Sequence, residues 1–264
     1  MDSRTIATTA VFTAFVAAAT SVFTVSIPST SGYFNVGEIM VYTCALLMGP
    51  YVGAFAGGVG SMLSDISLGY PQYAPGTLLI KGLEGFIVGY LGTRTFPMVT
   101  RLQWRAIAIA FGSVFAGALA YVGSAYFTGA SMFTLGGQWD LPAVTLNIQI
   151  PAPFWVVIAG TAFVLIAVGA WRAKARPGQS VMSVLAGGAE MVTGYYLYES
   201  SVLMLIAPAS VAAGAPAIEV PFNIAQALIG LLVAVPLVRS IRSITRGRRL
   251  GVVSGNSPSS GLGK

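Results

Sequence analysis

Residues 68–85 read LGYPQYAPGTLLIKGLEG, and the fold turns on how this stretch is taken. A tight loop of aromatic and proline residues (Tyr70, Pro71, Tyr73, Pro75) runs straight into an apolar helix that carries Lys81 and Glu84. Residues three apart share a helical face, so the ammonium and the carboxylate are neighbours. In so apolar a chain the pair belongs inside a membrane, where ionisable groups are costly and functional by default. An internal ion pair that only locks two helices together is the other reading of the same spacing.

The rest of the chain supports a membrane setting. Charged residues make up only 8% of it and hydrophobic residues 55%, with a mean hydropathy of +0.79. A soluble domain carries about 25% charged residues, so this chain cannot coat a water-facing surface. The net charge of +6 does not signal nucleic acid. Apart from Lys81, the basic residues lie near the N-terminus, in two inter-helix loops and in the C-terminal tail, the positive-inside pattern. The single cysteine, Cys44, leaves no intrachain disulfide, and the absence of histidine removes the commonest metal ligand and general base. No metal or cofactor site is expected. The N-terminal apolar run reads as a first transmembrane helix and not as a signal peptide.

In order, the spacing predicts a first span over about Thr5 to Val25, with Ala7, Ala10, Ala14 and Ala18 forming a ridge of small residues. Such ridges let another helix approach closely, either within this chain or on a partner. The segment Ile27 to Glu38 is too polar and turn-rich to cross and should lie outside, delivering Tyr33, Phe34, Asn35 and Glu38 to the outer mouth. A short helix follows over about Val36 to Met48, and another over about Tyr51 to Leu68. In the latter, Gly53, Gly57, Ser61 and Asp65 recur every fourth residue after Gly49, making a groove for close packing. Asp65 is either a ligand group or a helix-end cap. The helix from about Pro75 to Leu91 returns inward to Arg94, Arg101 and Arg105.

A further apolar pair, about Ala106 to Phe127 and Phe154 to Trp171, is joined by a polar segment with Gly136, Gly137, Asp140 and the alternating VTLNIQIP of Val144 to Pro151. That segment is expected outside, as a loop or short hairpin. Arg172, Lys174 and Arg176 bring the chain back inside. A helix over about Ser180 to Ile206 carries Glu190, Tyr195, Tyr198 and Glu199, and EVPFNIAQ (Glu219 to Gln226) opens the last span. Pro221 falls at a first-turn position there. The expectation is one integral membrane domain over residues 1–250, eight spans with both termini cytoplasmic, a basic stretch from Arg239 to Arg249, and a disordered cytoplasmic tail over 251–264. The helix ending at Met48 is shorter than the roughly 20 residues a span needs, which leaves a tilted or re-entrant course open.

At about 1.5 Å per residue, Lys81 and Glu84 lie roughly 9–14 Å below the outer end of their helix. Asn223 and Gln226 share a face in the first turns of the last span, Tyr195 and Glu199 share one, Glu38 heads its helix and Asp65 ends another. These groups meet in the outer half of the membrane, above an apolar inner half. The pattern describes a blind pocket open to the outside, not a pore. Aromatic faces can stack on a planar ring while amides, lysine and carboxylate pair with its edge. The expected binding residues are Tyr33, Asn35, Glu38, Tyr70, Tyr73, Lys81, Glu84, Tyr195, Glu199, Asn223 and Gln226. For any single one of Tyr33, Phe34, Tyr70, Tyr73 and Tyr198 the interfacial aromatic belt is the stronger account. No phosphate loop, nucleophile elbow or His/Cys cluster is present, so no catalytic residues are assigned.

The blocks GYFNVGE, LLMGPYVGAFAGGVGSMLSD, GYPQYAP-x-x-LLIKGLEG and EVPFNIAQ resemble, in matching order, the substrate-binding S components of energy-coupling factor (ECF) vitamin transporters. The likeness is closest to the riboflavin-type branch and covers about Thr5 to Thr93 and Ser180 to Arg239. It implies an all-α polytopic membrane protein with a six-helix core that captures a vitamin or related heterocycle, riboflavin-like or pyrimidine-like. It also implies a transmembrane coupling subunit, on which Ala10, Ala14 and Ala18 would dock, and two cytoplasmic ATPases. Asn223 matches the Asn of the family's Pro-Phe-Asn element, while Gln226 stands where flavin-binding members often carry lysine. The segment from about Arg105 to Arg176 departs from the family as an inserted transmembrane helical hairpin, expected to pack outside the core. Two further functions stay open: a stand-alone ion-coupled carrier relaying protons through Lys81 and Glu84, or a membrane enzyme using Glu84, Glu199 or Asp65 as acid and base.

Overall fold

The computed structural model describes residues 2–27, 32–94, 100–136, 143–172, 178–206 and 215–254. Gly137, Asp140, Lys174, Arg176, the stretch 207–214 and the tail from residue 255 therefore lie outside the described residues. Helix α1 (Ser3–Val22) is followed by strands β1 (Thr24–Ile27) and β2 (Gly32–Asn35), then α2 (Glu38–Met48), α3 (Pro50–Ser67) and α4 (Ala74–Thr93). Next come α5 (Arg101–Tyr126), β3 (Gly129–Gly136), β4 (Ala143–Ile150) and α6 (Ala152–Arg172). Helix α7 (Gln179–Leu197) passes through a π-helical turn (Tyr198–Leu203) into α8 (Met204–Ile206), and α9 (Ala215–Ser254) closes the order.

The protein is a helical, multi-pass membrane protein. Among the described residues, four helices are long and apolar enough to cross a bilayer by themselves: Ser3–Val22, Arg101–Tyr126, Pro153–Arg172 and Pro216–Thr245. Helix α2 is too short to do so, and the reason it can be short is burial. Val41, Tyr42, Cys44, Ala45 and Leu46 are all enclosed by neighbouring helices, so α2 meets protein and not lipid along much of its length. It ends at Gly49, whose φ of 85° is a left-handed turn that glycine adopts without strain, and Pro50 starts α3.

Helices α3 and α4 pack most intimately. A Cβ added at Gly53 would lie 2.8 Å from the Gly85 carbonyl oxygen, and one at Gly58 would lie 2.6 Å from that of Leu78. The glycine groove thus exists because the two backbones touch. Below the outer third, Val16, Val41, Val52, Ala56, Val88 and Val184 join Tyr42, Leu46 and Val235 in a dry core.

Two expectations change, and a third, the hairpin between the two long helices, gains its register. The first helix stops at Val22, and Thr24 to Ile27 form a strand paired with β2 in the register Thr24↔Asn35 to Ile27↔Gly32. Alternating β-branched residues gain more from pairing than from prolonging an exposed helix end. The segment joining the inserted helices is a hairpin in full antiparallel register, Gly129↔Ile150 to Gly136↔Ala143, and β3 also meets β1 at Val25↔Leu135. One sheet of order β2-β1-β3-β4 therefore joins the β1–β2 hairpin to the β3–β4 hairpin. Finally, α9 starts at Ala215 and runs to Ser254, which puts Pro221 inside the helix and carries the helix past residue 250. Helices α5 and α6 pack against each other, and α5 rests on α9.

Candidate functional site

At one end of the bundle a hollow is lined by residues from seven elements. Thr20 comes from α1, Tyr33 and Asn35 from β2, Glu38 from α2, and Ser61 and Asp65 from α3. Thr77 and Lys81 of α4, Tyr195 of α7, and Glu219, Asn223 and Gln226 of α9 complete the wall, with Tyr73 at the α4 entrance. Strand β2 covers it from outside, and the dry core is its floor. The enclosed volume is about 40 Å³, space for only a few waters.

Lys81 is the hub. Its Nζ pairs with Glu38 Oε1 and lies 3.2 Å from Glu84 Oε2, with all three side chains buried. The Tyr42 hydroxyl donates to Glu84 Oε1 at 2.8 Å, and Lys81 Nζ stands 5.6 Å from the centre of the Tyr195 ring. A buried charge needs partners of this kind, because an uncompensated one costs several kcal/mol.

The amides form a second, linked set. Gln226 Nε2 donates to Asn223 Oδ1 at 2.9 Å, and Gln226 Oε1 accepts from the Asn35 backbone N–H at 3.1 Å. Asn35 Oδ1 in turn accepts from the Gly37 N–H at 2.8 Å. The lid strand is thereby stitched to α9, with the amide planes held in fixed orientations. On the opposite wall the Tyr33 hydroxyl donates to Asp65, and that of Tyr195 donates to Thr77 Oγ1 at 3.0 Å.

Of the eleven residues expected from the sequence, Tyr33, Asn35, Glu38, Tyr73, Lys81, Tyr195, Asn223 and Gln226 line this hollow. Three do not. Glu84 lies behind Lys81, turned to Tyr42 of α2. Tyr70 stands outside the wall and rests on Tyr33, with ring centroids 4.8 Å apart. Glu199 is buried in the π-helical turn, next to Glu219. The wider turn changes the angular step, so the i, i+4 spacing from Tyr195 no longer keeps one face.

The lining also contains Thr20, Ser61, Thr77 and Glu219, which lie outside the expected binding set, and Asp65, for which the sequence allows either a ligand or a capping role. Thr77 precedes Lys81 by four residues, Ser61 precedes Asp65 by four and Glu219 precedes Asn223 by four. Helical spacing from the residues already chosen was the available signal. Among the described residues no group of three His, Cys, Asp or Glu side chains is placed to hold a metal ion.

The family model described as "ECF-type riboflavin transporter, S component" matches residues 1–151 and 143–243. An uncharacterized protein from a gap 3'region of Pyrococcus woesei is 54% identical over 71 residues, 27% of this chain and 47% of that protein. The chain thus spans about half the length of that relative. The thiamine precursor transporter HmpT of Lactococcus lactis subsp. cremoris (strain MG1363) is 26% identical over 135 residues, 49% of this chain and 72% of that protein. No solved structure matches.

Proposed function

Because this chain belongs to the ECF-type riboflavin transporter S component family, we propose that it captures a small nitrogen heterocycle at its outer face for import by an energised complex. Family and relative alike are transporter components, and vitamin-type transport is the coarse function that membership carries. The observation that supports capture is the convergence of aromatic, amide and charged side chains from seven elements on one hollow with a dry floor.

The character of the wall favours a ligand rich in N–H donors. Glu38, Asp65 and Glu219 face the hollow against one ammonium, and Lys81 is already engaged by Glu38 and Glu84. An anionic ligand finds no unengaged ammonium among these residues. An amino-substituted single ring, of the aminopyrimidine class, offers donors to the carboxylates and a flat face to Tyr33, Tyr73 and Tyr195. The relative named a thiamine precursor transporter supports this choice, and the family description supports a riboflavin-type ring as the second reading. The contracted volume means that β2 or the Tyr70–Tyr73 loop moves aside when the ligand enters.

Transport by this chain then draws on partners: a membrane coupling subunit docking on α1 and two ATPases on the cytoplasmic side. The arginines at the inner ends of α4, α5 and α6 support cytoplasmic termini. The test is a thermal-shift and calorimetric panel on the purified full chain with aminopyrimidines, thiamine and riboflavin. Stabilisation by a single-ring aminopyrimidine, about 2.7 kcal/mol at a hundredfold excess over Kd, is expected. Riboflavin alone binding would replace the ligand class. No binding by a folded protein would remove capture itself.

A further inference from the structure

Away from the polar hollow, an apolar crevice of about 660 Å³ opens between the inserted pair and the core. Its walls are the first turns of α5 (Trp104, Phe111), the last turns of α6 (Leu165, Gly169), the start of α7 (Leu185) and the middle of α9 (Leu231). A second hollow of about 180 Å³ adjoins it, sharing Phe111 and Leu185 and reaching Val114. From Trp104 to Val114 the pair of hollows is about 15 Å long at 1.5 Å per residue, half of a roughly 30 Å hydrocarbon core. The slot is as deep as one leaflet.

Two observations say what fills it. The Trp104 indole Nε1, on the residue that begins the α5 wall of the slot, is buried with no hydrogen-bond partner among the described residues. A buried N–H left in that state is costly. The second is charge. At the same end Arg105 lies 4.2 Å from the Trp171 ring and donates to the Trp171 carbonyl oxygen at 3.4 Å, with Arg101 one turn before it and Arg172 next to Trp171. The Arg105 guanidinium thus stands beside the end of a leaflet-deep apolar slot, on helix ends that also carry Arg101 and Arg172.

We infer that the inserted helix pair and α7/α9 hold one anionic phospholipid of the arginine-side leaflet, an acyl chain in the crevice and the phosphate at Trp104, Arg105 and Arg172. This goes beyond capture of the transported ligand and does not depend on it. The lipid serves as a wedge that completes the packing of the insertion on the core, where α5 and α6 leave a gap that protein does not fill.

Native mass spectrometry of the full chain, released from vesicles of equal phosphatidylglycerol and phosphatidylcholine, tests it. One phosphatidylglycerol per chain is expected, preferred about tenfold over phosphatidylcholine. Arg105→Gln should bring the ratio towards parity. Gly169→Leu should remove both adducts, since nothing lies within 4 Å of a Cβ at Gly169 and the added side chain enters open space. Should a variant fail to fold, the wild-type chain still decides: brominated phosphatidylglycerol should quench its tryptophan emission several-fold more than brominated phosphatidylcholine. Equal retention of the two lipids, equal quenching, or an unchanged adduct in Gly169→Leu overturns the inference.

Discussion

The Tyr33 hydroxyl donates to Asp65 Oδ1 at 2.6 Å, tying the strand that covers the hollow to the outer end of α3. The same ring rests on Tyr70, so both outer loops meet at one side chain. Burial holds the Tyr33 phenol well above its usual pKa, and the neighbouring Asp65 carboxylate adds to the effect, so it stays a neutral donor. Tyr33→Phe keeps the ring contact and removes only the latch. Hydrogen bonds to charged groups are worth about 1.5–3 kcal/mol, so ligand dissociation should quicken by about tenfold or more. Stopped-flow release measures it. An unchanged rate would mean that the lid is held elsewhere.

Lys81 stands between Glu38 and Glu84, and removing it leaves two buried carboxylates facing each other. Lys81→Met should therefore cost about 3–5 kcal/mol of stability. The double variant Lys81→Met/Glu84→Gln should recover part of that loss, because one stranded charge is gone. Denaturation in detergent of the single and double variants gives the coupling directly. Additive losses would show that the ion cluster is not a unit.

The closeness of α3 and α4 makes a separate forecast. At Gly53 an added methyl would press on both the Ala45 side chain and the Gly85 carbonyl at 2.8 Å, so Gly53→Ala must push backbone aside. Overpacking of this kind costs about 1–3 kcal/mol. Gly117 has nothing within 4 Å of a Cβ, and Gly117→Ala should be neutral or stabilising by the difference in helix propensity, about 1 kcal/mol. Equal melting temperatures for the two variants would refute close packing as the reason for the glycine pattern.

Much of this architecture is written in one-dimensional spacing. The four-residue recurrence of Gly53, Gly57, Ser61 and Asp65 specifies both a packed groove and a carboxylate at its outer end, and the fold has both. What spacing cannot say is which neighbour a side chain turns to. Lys81 and Glu84 share a helical face, yet Tyr42 of α2 draws Glu84 behind the wall while Lys81 stays in it. Strand pairing was the other gap. Thr24–Ile27 is too short for its alternation to outweigh the helix before it, and its second partner β3 lies so far along the chain that only the tertiary structure reveals it. Phe34 of β2 packs with Val122 of α5 and with Phe127 just beyond it, a contact between segments nearly a hundred residues apart that no local pattern encodes.

The alanine ridge of α1 offers the sharpest separation of capture from transport. Thr9, Val16 and Thr20 face inward, and Ser64 Oγ donates to the Ala17 carbonyl oxygen at 3.0 Å, so α1 packs on α3 through that side. Ala10, Ala14 and Ala18 point the other way and are exposed. Their small side chains are not needed for packing within the chain, which leaves a smooth strip for another helix. Ala14→Trp should leave the melting temperature and ligand affinity of the isolated chain unchanged, because the new ring enters lipid. It should lower co-purification with the coupling subunit and ATP-driven uptake by at least about tenfold, the effect of losing some 1.4 kcal/mol at a packed interface. Uptake at the wild-type rate with Ala14→Trp would place the partner on another face.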